Sequence, residues 1–312
     1  MPPDLTGPGI LISENGDNTM TIQEANSIIT NFYSLTSPTD EERADFAEAM
    51  NFIYDQTGDT NFLVGLGAVY YRERMFEFAL KYYELAAEKG NLSAISNLGY
   101  IWYYGRTGEK NYEKAFYYFD KAMEMGDMVA AYKVADMYKN GFYVKQSEEK
   151  YRKIIEELYP LVKDTLDLSD PLPEIFTRLA RIRAESGYTA EALALFDDAK
   201  DFLAKRIAAD PFFGDLSIMK FMIYDIYKLK KFDPENMDLY DLYHVLRIPR
   251  RVQFGCDGNR YEVESRLSGA SLAIRFDGTT YASIDDFFEL ASIDGRLLTA
   301  RYDELTGFKL LL

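Results

Sequence analysis

The chain has 312 residues, of which 47% are hydrophobic and 28% charged, and its formal net charge is −16. That is an ordinary globular composition with chain enough for about two domains. Its acidity repels phosphate backbones and anionic lipid at long range, so nucleic acid and anionic membrane surfaces are poor candidates for partners, and none is expected. The acidity is uneven. From Arg250 onward 8 basic residues face 10 acidic ones, which leaves 27 against 41 for residues 1–249. A basic partner is the better electrostatic match for that body. Cys256 is the only cysteine, so no internal disulfide can form. The start MPPDLTGPGI has neither the basic residues nor the apolar run of a secretory signal. The uncharged run Phe62–Tyr71 is too short to span a bilayer. The expectation is a cytoplasmic protein with no membrane segment.

In chain order, residues 1–20 are rich in Pro, Gly, Asn and Asp and read as an extended lead-in. Thr21–Leu35 has the pattern of an amphipathic helix. Ser37-Pro38 reads as a cap followed by proline at the first helical position, opening a helix to about Gln56. This pair of helices, within residues 1–56, is expected to cap the N-terminal end of a helical array.

Residues 57–249 repeat. Ala115, Ala122 and Gly126 fall 36 residues after Ala79, Ala86 and Gly90. Leu98, Gly99, Trp102 and Gly105 fall 36 before Val134, Ala135, Tyr138 and Gly141, and Lys114 and Phe119 map likewise to Lys150 and Ile155. Leu66, Gly67 and Tyr70 precede their counterparts by only 32, which places four extra residues in the second unit's inter-helix loop, around Gly105–Lys110. A worn fourth unit runs from Phe176 to about Lys200, after DTLDLSDPLPE breaks the array with two prolines. A period of this length marks a solenoid of stacked helical hairpins, since one hairpin cannot bury its apolar face alone. Gly90 and Gly126 suit left-handed helix caps. Asp210–Lys231 and Asp238–Leu246 read as closing helices.

Residues 94–126, with Ala94, Leu98, Gly99, Trp102, Gly105, Ala115, Ala122 and Gly126, resemble the Sel-one-like repeat family, a branch of the tetratricopeptide superfamily. The first unit resembles it in Leu66, Gly67, Tyr70, Ala79, Ala86 and Gly90. The third has Val162 where a closing glycine would stand, and the fourth has Arg183 at the tyrosine position. The resemblance covers about 140 residues. It implies a superhelical scaffold for protein–protein contacts.

At about Pro249 the period changes from helical to alternating. Val252, Phe254 and Cys256 lead to Asp257-Gly258, and Leu272, Ile274 and Phe276 lead to Asp277-Gly278, two hairpin signals. Ser283 with Asp286 resembles a capping box for a helix through Leu290. Asp294-Gly295 turns again, a short helix is expected over Thr299–Leu305, and Phe308–Leu312 is expected to be a final strand. Residues 250–312 thus form a small α+β module, expected to pack on the helices around Phe221–Leu246. The expected fold is mainly α: a right-handed α–α superhelical solenoid of helical hairpins with a small C-terminal α+β module.

His244 is the only histidine. With one histidine and one cysteine, serine triads, two-histidine metal sites and Cys/His zinc clusters cannot be built within one chain, and no phosphate-binding glycine loop follows a strand. Cys256 reads as a buried strand residue and His244 as a helix-interface residue. SENGDNTMTIQE lacks the leading Asp and central Gly of a calcium loop. Pairs such as Asp197-Asp198 and Asp285-Asp286 are what 51 acids produce by chance, solvated or near helix starts. No catalytic residue, cofactor or metal is expected. Tyr70, Trp102 and Tyr138 hold packing positions. On the other face of the first helices stand Asn97, Tyr100 and Tyr104, then Lys133, Asp136 and Asn140, and in the fourth unit Arg178, Arg181 and Glu185. Tyrosine beside mixed polar groups suits a recognition surface, because it gives contact area at small entropic cost. The functional expectation is a non-enzymatic adaptor holding a protein or peptide, a basic one on electrostatic grounds, in the concave face. The alternative is an acidic inhibitor that blocks a cationic target.

Overall fold

The computed structural model describes residues 20–35, 38–269 and 271–311. The chain divides into two compact units, 1–151 and 152–312. The lead-in before Met20 lies outside the described residues.

In the first unit, α1 (Ile22–Phe32) and α2 (Asp40–Thr57) each open on a capping box, Thr21 with Glu24 and Thr39 with Glu42. The second box corrects the expected start at Ser37-Pro38. Glu42 accepts from the Thr39 backbone N–H at 2.7 Å and the Glu42 N–H donates back to the Thr39 hydroxyl, so two orphan donors are satisfied there. Ser37 itself lies outside the described residues. Phe32 stacks on Phe46 at 4.1 Å and joins the two helices.

Two hairpins follow, α3 (Asn61–Arg72) with α4 (Phe76–Glu88) and α5 (Leu92–Tyr104) with α6 (Tyr112–Glu124), and then α7 (Met128–Asn140). The loop inside the first hairpin is residues 73–75 and that inside the second is 105–111, so the four-residue insertion sits where the spacing placed it. Gly90 and Gly126 have φ of 82° and 94°. Beyond them Asn91 N–H bonds to Ala86 O at 3.1 Å and Asp127 N–H to Ala122 O at 3.0 Å. This six-to-one closure needs a left-handed residue between, and glycine enters that region at no steric cost. Asn91 and Asp127 then cap the next helix. Each hairpin therefore ends and the next begins within three residues.

The helix α8 (Glu148–Val162) carries the boundary between the units. In the second unit, α9 (Leu172–Glu185) and α10 (Thr189–Ala209) form a further hairpin around Gly187, φ 86°. The two prolines of the break, Pro171 and Pro173, sit at the start of α9, where a missing N–H costs nothing. α11 (Phe213–Leu229) follows, then a 3-10 turn at Leu239–Asp241 running into α12 (Leu242–Val245). Arg206 on α10 reaches Glu174 at 2.7 Å and Asp215 at 2.8 Å, tying α9, α10 and α11 through one shielded guanidinium.

The C-terminal module contains β1 (Arg250–Cys256), β2 (Asn259–Ser268), β3 (Ser271–Phe276), β4 (Thr279–Tyr281), α13 (Ile284–Leu290), β5 (Ser292–Ile293), β6 (Arg296–Leu297) and β7 (Thr306–Leu311). The main sheet is antiparallel, in order β4-β3-β2-β1-β7, and β5 pairs only with β6. Asp257-Gly258, Asp277-Gly278 and Asp294-Gly295 all have positive φ at both residues, which fits the right-handed strand twist. The helix expected over Thr299–Leu305 is only a 3-10 turn, Thr299–Arg301, because the chain must then turn to feed β7. The final strand lies in the module's own sheet beside β1, and Phe308 stacks on Phe254 at 5.1 Å. α13 covers the sheet through Phe287 against Phe276 at 5.8 Å. On its other side Phe288 stacks on Tyr243 of α12 at 3.9 Å, and Asp285 accepts from Lys220 of α11 at 2.7 Å. The fold is helical hairpins in a repeat arrangement with a small antiparallel sheet at the C-terminus.

Candidate functional site

The first helices of successive hairpins bring one side-chain row together in the first unit. Tyr100 on α5 shares a 2.5 Å hydroxyl–hydroxyl bond with Tyr132 on α7. Beside them the Lys133 ammonium donates to the Tyr104 hydroxyl at 2.9 Å. It also lies 4.9 Å from the Tyr100 ring centre, 5.2 Å from Tyr103, 5.0 Å from Tyr104 and 5.4 Å from Tyr132. Lys133 is only 6% exposed. Rings that present their negative faces replace part of the water it gives up. Arg106 continues the row. It lies 4.9 Å from the Tyr104 ring and donates through Nε to the Tyr71 hydroxyl at 2.9 Å. Burial pushes the Tyr71 phenol up, against the lowering effect of Arg106.

The expected recognition residues separate here by exposure. Tyr104 is 39% exposed and Asn140 is exposed. Tyr100 is half-buried, with its ring edge-on to Phe119 of its own hairpin at 5.4 Å, so it does not point cleanly away from the hairpin core. Asn97 and Asp136 are half-buried, and the Asn140 side chain donates to the Asp136 carbonyl at 2.7 Å. Lys133 is enclosed by the rings between α5 and α7. Tyr71, Tyr103, Arg106 and Tyr132 belong to the row and are not singled out by the sequence. Their only signals are the insertion that carries Arg106 and the adjacency of Tyr71 to the packing residue Tyr70.

In the second unit, Arg178 and Arg181 lie on α9. Arg178 donates to the Glu174 carbonyl at 2.6 Å. Arg181 donates through Nε to Asp225 of α11 at 2.7 Å. Glu185 accepts from Arg152 at 3.1 Å. These α9 charges are therefore held by neighbouring groups.

Trp102 sits under the Lys114 ammonium, 3.9 Å from its ring. Cys256 is buried in β1, and burial pushes its thiol up. Among the described residues, Cys256, Asp257 and Glu304 form the one trio of potential metal-ligand atoms. Arg301, 3% exposed, pairs with both carboxylates, at 2.7 Å to Glu304, so their charge is already matched. Asp285 is paired with Lys220, Asp286 meets the Ser283 cap, and Asp197 and Asp198 are exposed. No described helix is long and apolar enough to cross a membrane.

The helical hairpins define the chain as a helical repeat protein. The Sel1 repeat model matches residues 76–91, 92–127 and 129–150, and the chain carries Sel1 repeats there. No curated protein matches the chain. A Sel1 repeat protein from Oxalobacter formigenes has a similar structure, with 20% identity, 72% of this chain and 84% of that chain covered, and a TM-score of 0.48. A protective antigen of uropathogenic Escherichia coli strains displaying an SLR fold gives 18% identity and a TM-score of 0.38, covering 69% of this chain and half (50%) of that one. A tetratricopeptide repeat protein from Parabacteroides merdae ATCC 43184 gives 14% identity and a TM-score of 0.39, with 66% and 73% covered.

Proposed function

We propose that this chain is a non-enzymatic scaffold whose first-helix face holds a protein or peptide partner, with residues 57–249 as the binding body and 1–56 and 250–312 as its end pieces. The observation that carries the reading is the braced tyrosine row, in which Tyr104 reaches solvent while Lys133 and Arg106 both lie within about 5 Å of its ring centre. A fixed, half-exposed tyrosine offers contact area at small entropic cost, as protein recognition surfaces do, and the exposed Asn140 holds the equivalent position one repeat on. The acidity of residues 1–249 favours a partner with basic groups.

The experiment is affinity capture from the native cell, followed by affinity measurement on the captured partner. Tyr104→Ala and Asn140→Ala are the informative variants, because both residues are exposed; Tyr104→Phe keeps the ring beside the buried Lys133 and removes only its hydrogen bond, so Tyr104→Ala is read beside it. Tyr100→Ala serves as the third and is read together with its melting temperature. A fall in affinity of about tenfold for Tyr104→Ala, with Tm lower by no more than a few degrees, supports the assignment. Unchanged affinity in both exposed variants removes the face from consideration. Association that collapses between low and physiological salt would mark electrostatic steering in place of ring contacts.

A further inference from the structure

The geometry points to a ligand site in the second unit, in the cleft between α9, α11 and the end of α12, that takes a planar ring carrying an oxyanion, a carboxylate or a phosphate. The cleft has a volume of about 440 Å³, inside the usual range for small-ligand sites. It lies wholly on residues 181–247 and shares no residue with the tyrosine row; of the expected recognition residues only Arg181 lines it.

Charge selects the ligand's sign. Three cations line the cleft, Arg181, Lys228 and Arg247, against one carboxylate, Asp225. Asp225 is fully used: Oδ2 accepts from Arg181 and Oδ1 from Lys228, each at 2.7 Å. Arg247 is left over. Among the described residues no carboxylate pairs with it, and its guanidinium lies over the Tyr224 ring at 4.7 Å. Three lining cations against one lining carboxylate leave a surplus of positive charge at the cleft in a chain with 51 acidic residues, with Asp241 set behind the Tyr227 hydroxyl at 2.8 Å. A planar guanidinium fork matches the two oxygens of a carboxylate or phosphate.

The walls select the ligand's shape. Tyr227 and His244 lie ring against ring at 4.3 Å, and Phe221 is 55% exposed at the cleft. His244 Nδ1 is sealed from solvent and has no hydrogen-bond partner. Burial first, and Arg247 second, hold its imidazole below the usual range, so it adds ring surface and no charge at neutral pH. A compact inorganic anion would leave these rings unused, a cation would be repelled, and a neutral ring would leave Arg247 unpaired.

The test uses the full chain and one property of its sequence. His244 is the only histidine, so its imidazole proton signal reports on the cleft without ambiguity. Phenyl phosphate and benzoate are titrated while that signal is followed, with inorganic phosphate and benzylamine as controls. The expected result is a saturable shift with at least one of the two aromatic anions, no saturable shift with either control, and affinity lower by about tenfold in Arg247→Glu. Arg247 is exposed and carries no helix core, so the variant's fold is checked by circular dichroism. Should it fail to fold, Arg247→Gln removes the charge alone and must show the same loss. A peptide with a central phosphotyrosine separates the sources. Tighter binding than phenyl phosphate marks a ring borne by a polypeptide, and equal binding marks a free small molecule. Tyr104→Ala must leave the titration unchanged, which keeps this result separate from the tyrosine-row assignment. The inference is overturned if neither aromatic anion moves the His244 signal saturably, or if Arg247→Glu and Arg247→Gln bind as well as the native chain.

Discussion

Gly99 faces the ring of Phe119 so closely that a β-carbon built on it would lie 2.5 Å from two ring carbons. One hairpin earlier Gly67 meets the ring of Tyr83 in the same way, at 2.4 and 2.6 Å. The glycine that follows the repeat's leucine is therefore a seat for an aromatic ring of the second helix. In the third repeat, where the sequence carries Ile155 at the aromatic's position, it carries Ala135 at the glycine's.

Gly99→Ala should destabilise the protein. The helix gains about 1 kcal/mol from losing a glycine, but crowding a packed core costs about 1–3 kcal/mol, and here the ring cannot retreat because it is fully buried. Adding Phe119→Leu should recover most of the loss. Gly65→Ala is the contrast: its nearest neighbour is the Met50 methyl at 2.4 Å, the free end of a flexible side chain. Urea denaturation should place Gly65→Ala at or above the native midpoint and Gly99→Ala below it. The reverse order would refute the ring-seat account.

The residues that set the repeat are legible because they act within one hairpin. Small residues at fixed spacing, a left-handed glycine at each end and Asp-Gly between alternating strands report on backbone geometry, which local sequence encodes. Ser37 and Thr39 are equally good caps by residue type, and only the reach of Glu42 decides for Thr39. The candidate sites are legible only in part. Tyr100 meets Tyr132, and Lys133 meets Tyr103 and Tyr104, across neighbouring hairpins, and the offset between hairpins is fixed by packing that no single repeat encodes. The cleft is further from local sequence still, since Arg181, Tyr224 and Arg247 are brought together from α9, α11 and the end of α12.

Asp127→Asn should stabilise the protein at neutral pH. Asp127 caps α7 by accepting from the Ala130 N–H at 2.7 Å, and the equivalent residue one repeat earlier, Asn91, does the same for α5 at 3.1 Å. Burial raises the Asp127 carboxyl above its usual value, against the lowering effect of the Ala130 and Ser96 bonds. A folded-state pKa above the unfolded one means the folded chain binds the proton more readily. The native residue therefore gains stability as pH falls through that range and loses it as pH rises. Asparagine keeps the cap without the buried charge, so its advantage should shrink as the pH approaches about 4, near the unfolded carboxyl's own pKa. Asp127→Ala should instead cost about 1 kcal/mol through the lost cap. Thermal melts at neutral and acidic pH distinguish the three chains.

Lys133 should be the slow lysine. At 6% exposure, with its ammonium bonded to Tyr104, it should resist reductive methylation under conditions that modify Lys153, whose side chain is 72% exposed. Peptide mass spectrometry reads the ratio directly. Lys133→Met keeps the volume and removes the charge, and should lower stability by about 1–2 kcal/mol through the lost ring contacts and hydrogen bond. Equal labelling of the two lysines would show that the tyrosine enclosure is open in solution.

The C-terminal module should unfold together with the helices it touches. Phe288 is buried between the module and the preceding helices, stacked on Tyr243 at 3.9 Å and on Tyr240 at 5.9 Å. Asp285 holds Lys220 one turn away, and the 299–301 turn lies against α10. The sheet depends in turn on its last strand, because β7 closes the β1 edge and Phe308 completes the ring stack on Phe254. Phe288→Ala should therefore cost about 3–5 kcal/mol. Removing residues 307–312 should expose the β1 edge and weaken the same structure. Amide exchange is the decisive measurement, read at Leu216–Ile226 of α11 and at Val252–Cys256 of β1. In both variants the two segments should lose protection together. If α11 keeps native protection while β1 exchanges freely, the module is an independent domain and the Phe288 contact is only a docking patch.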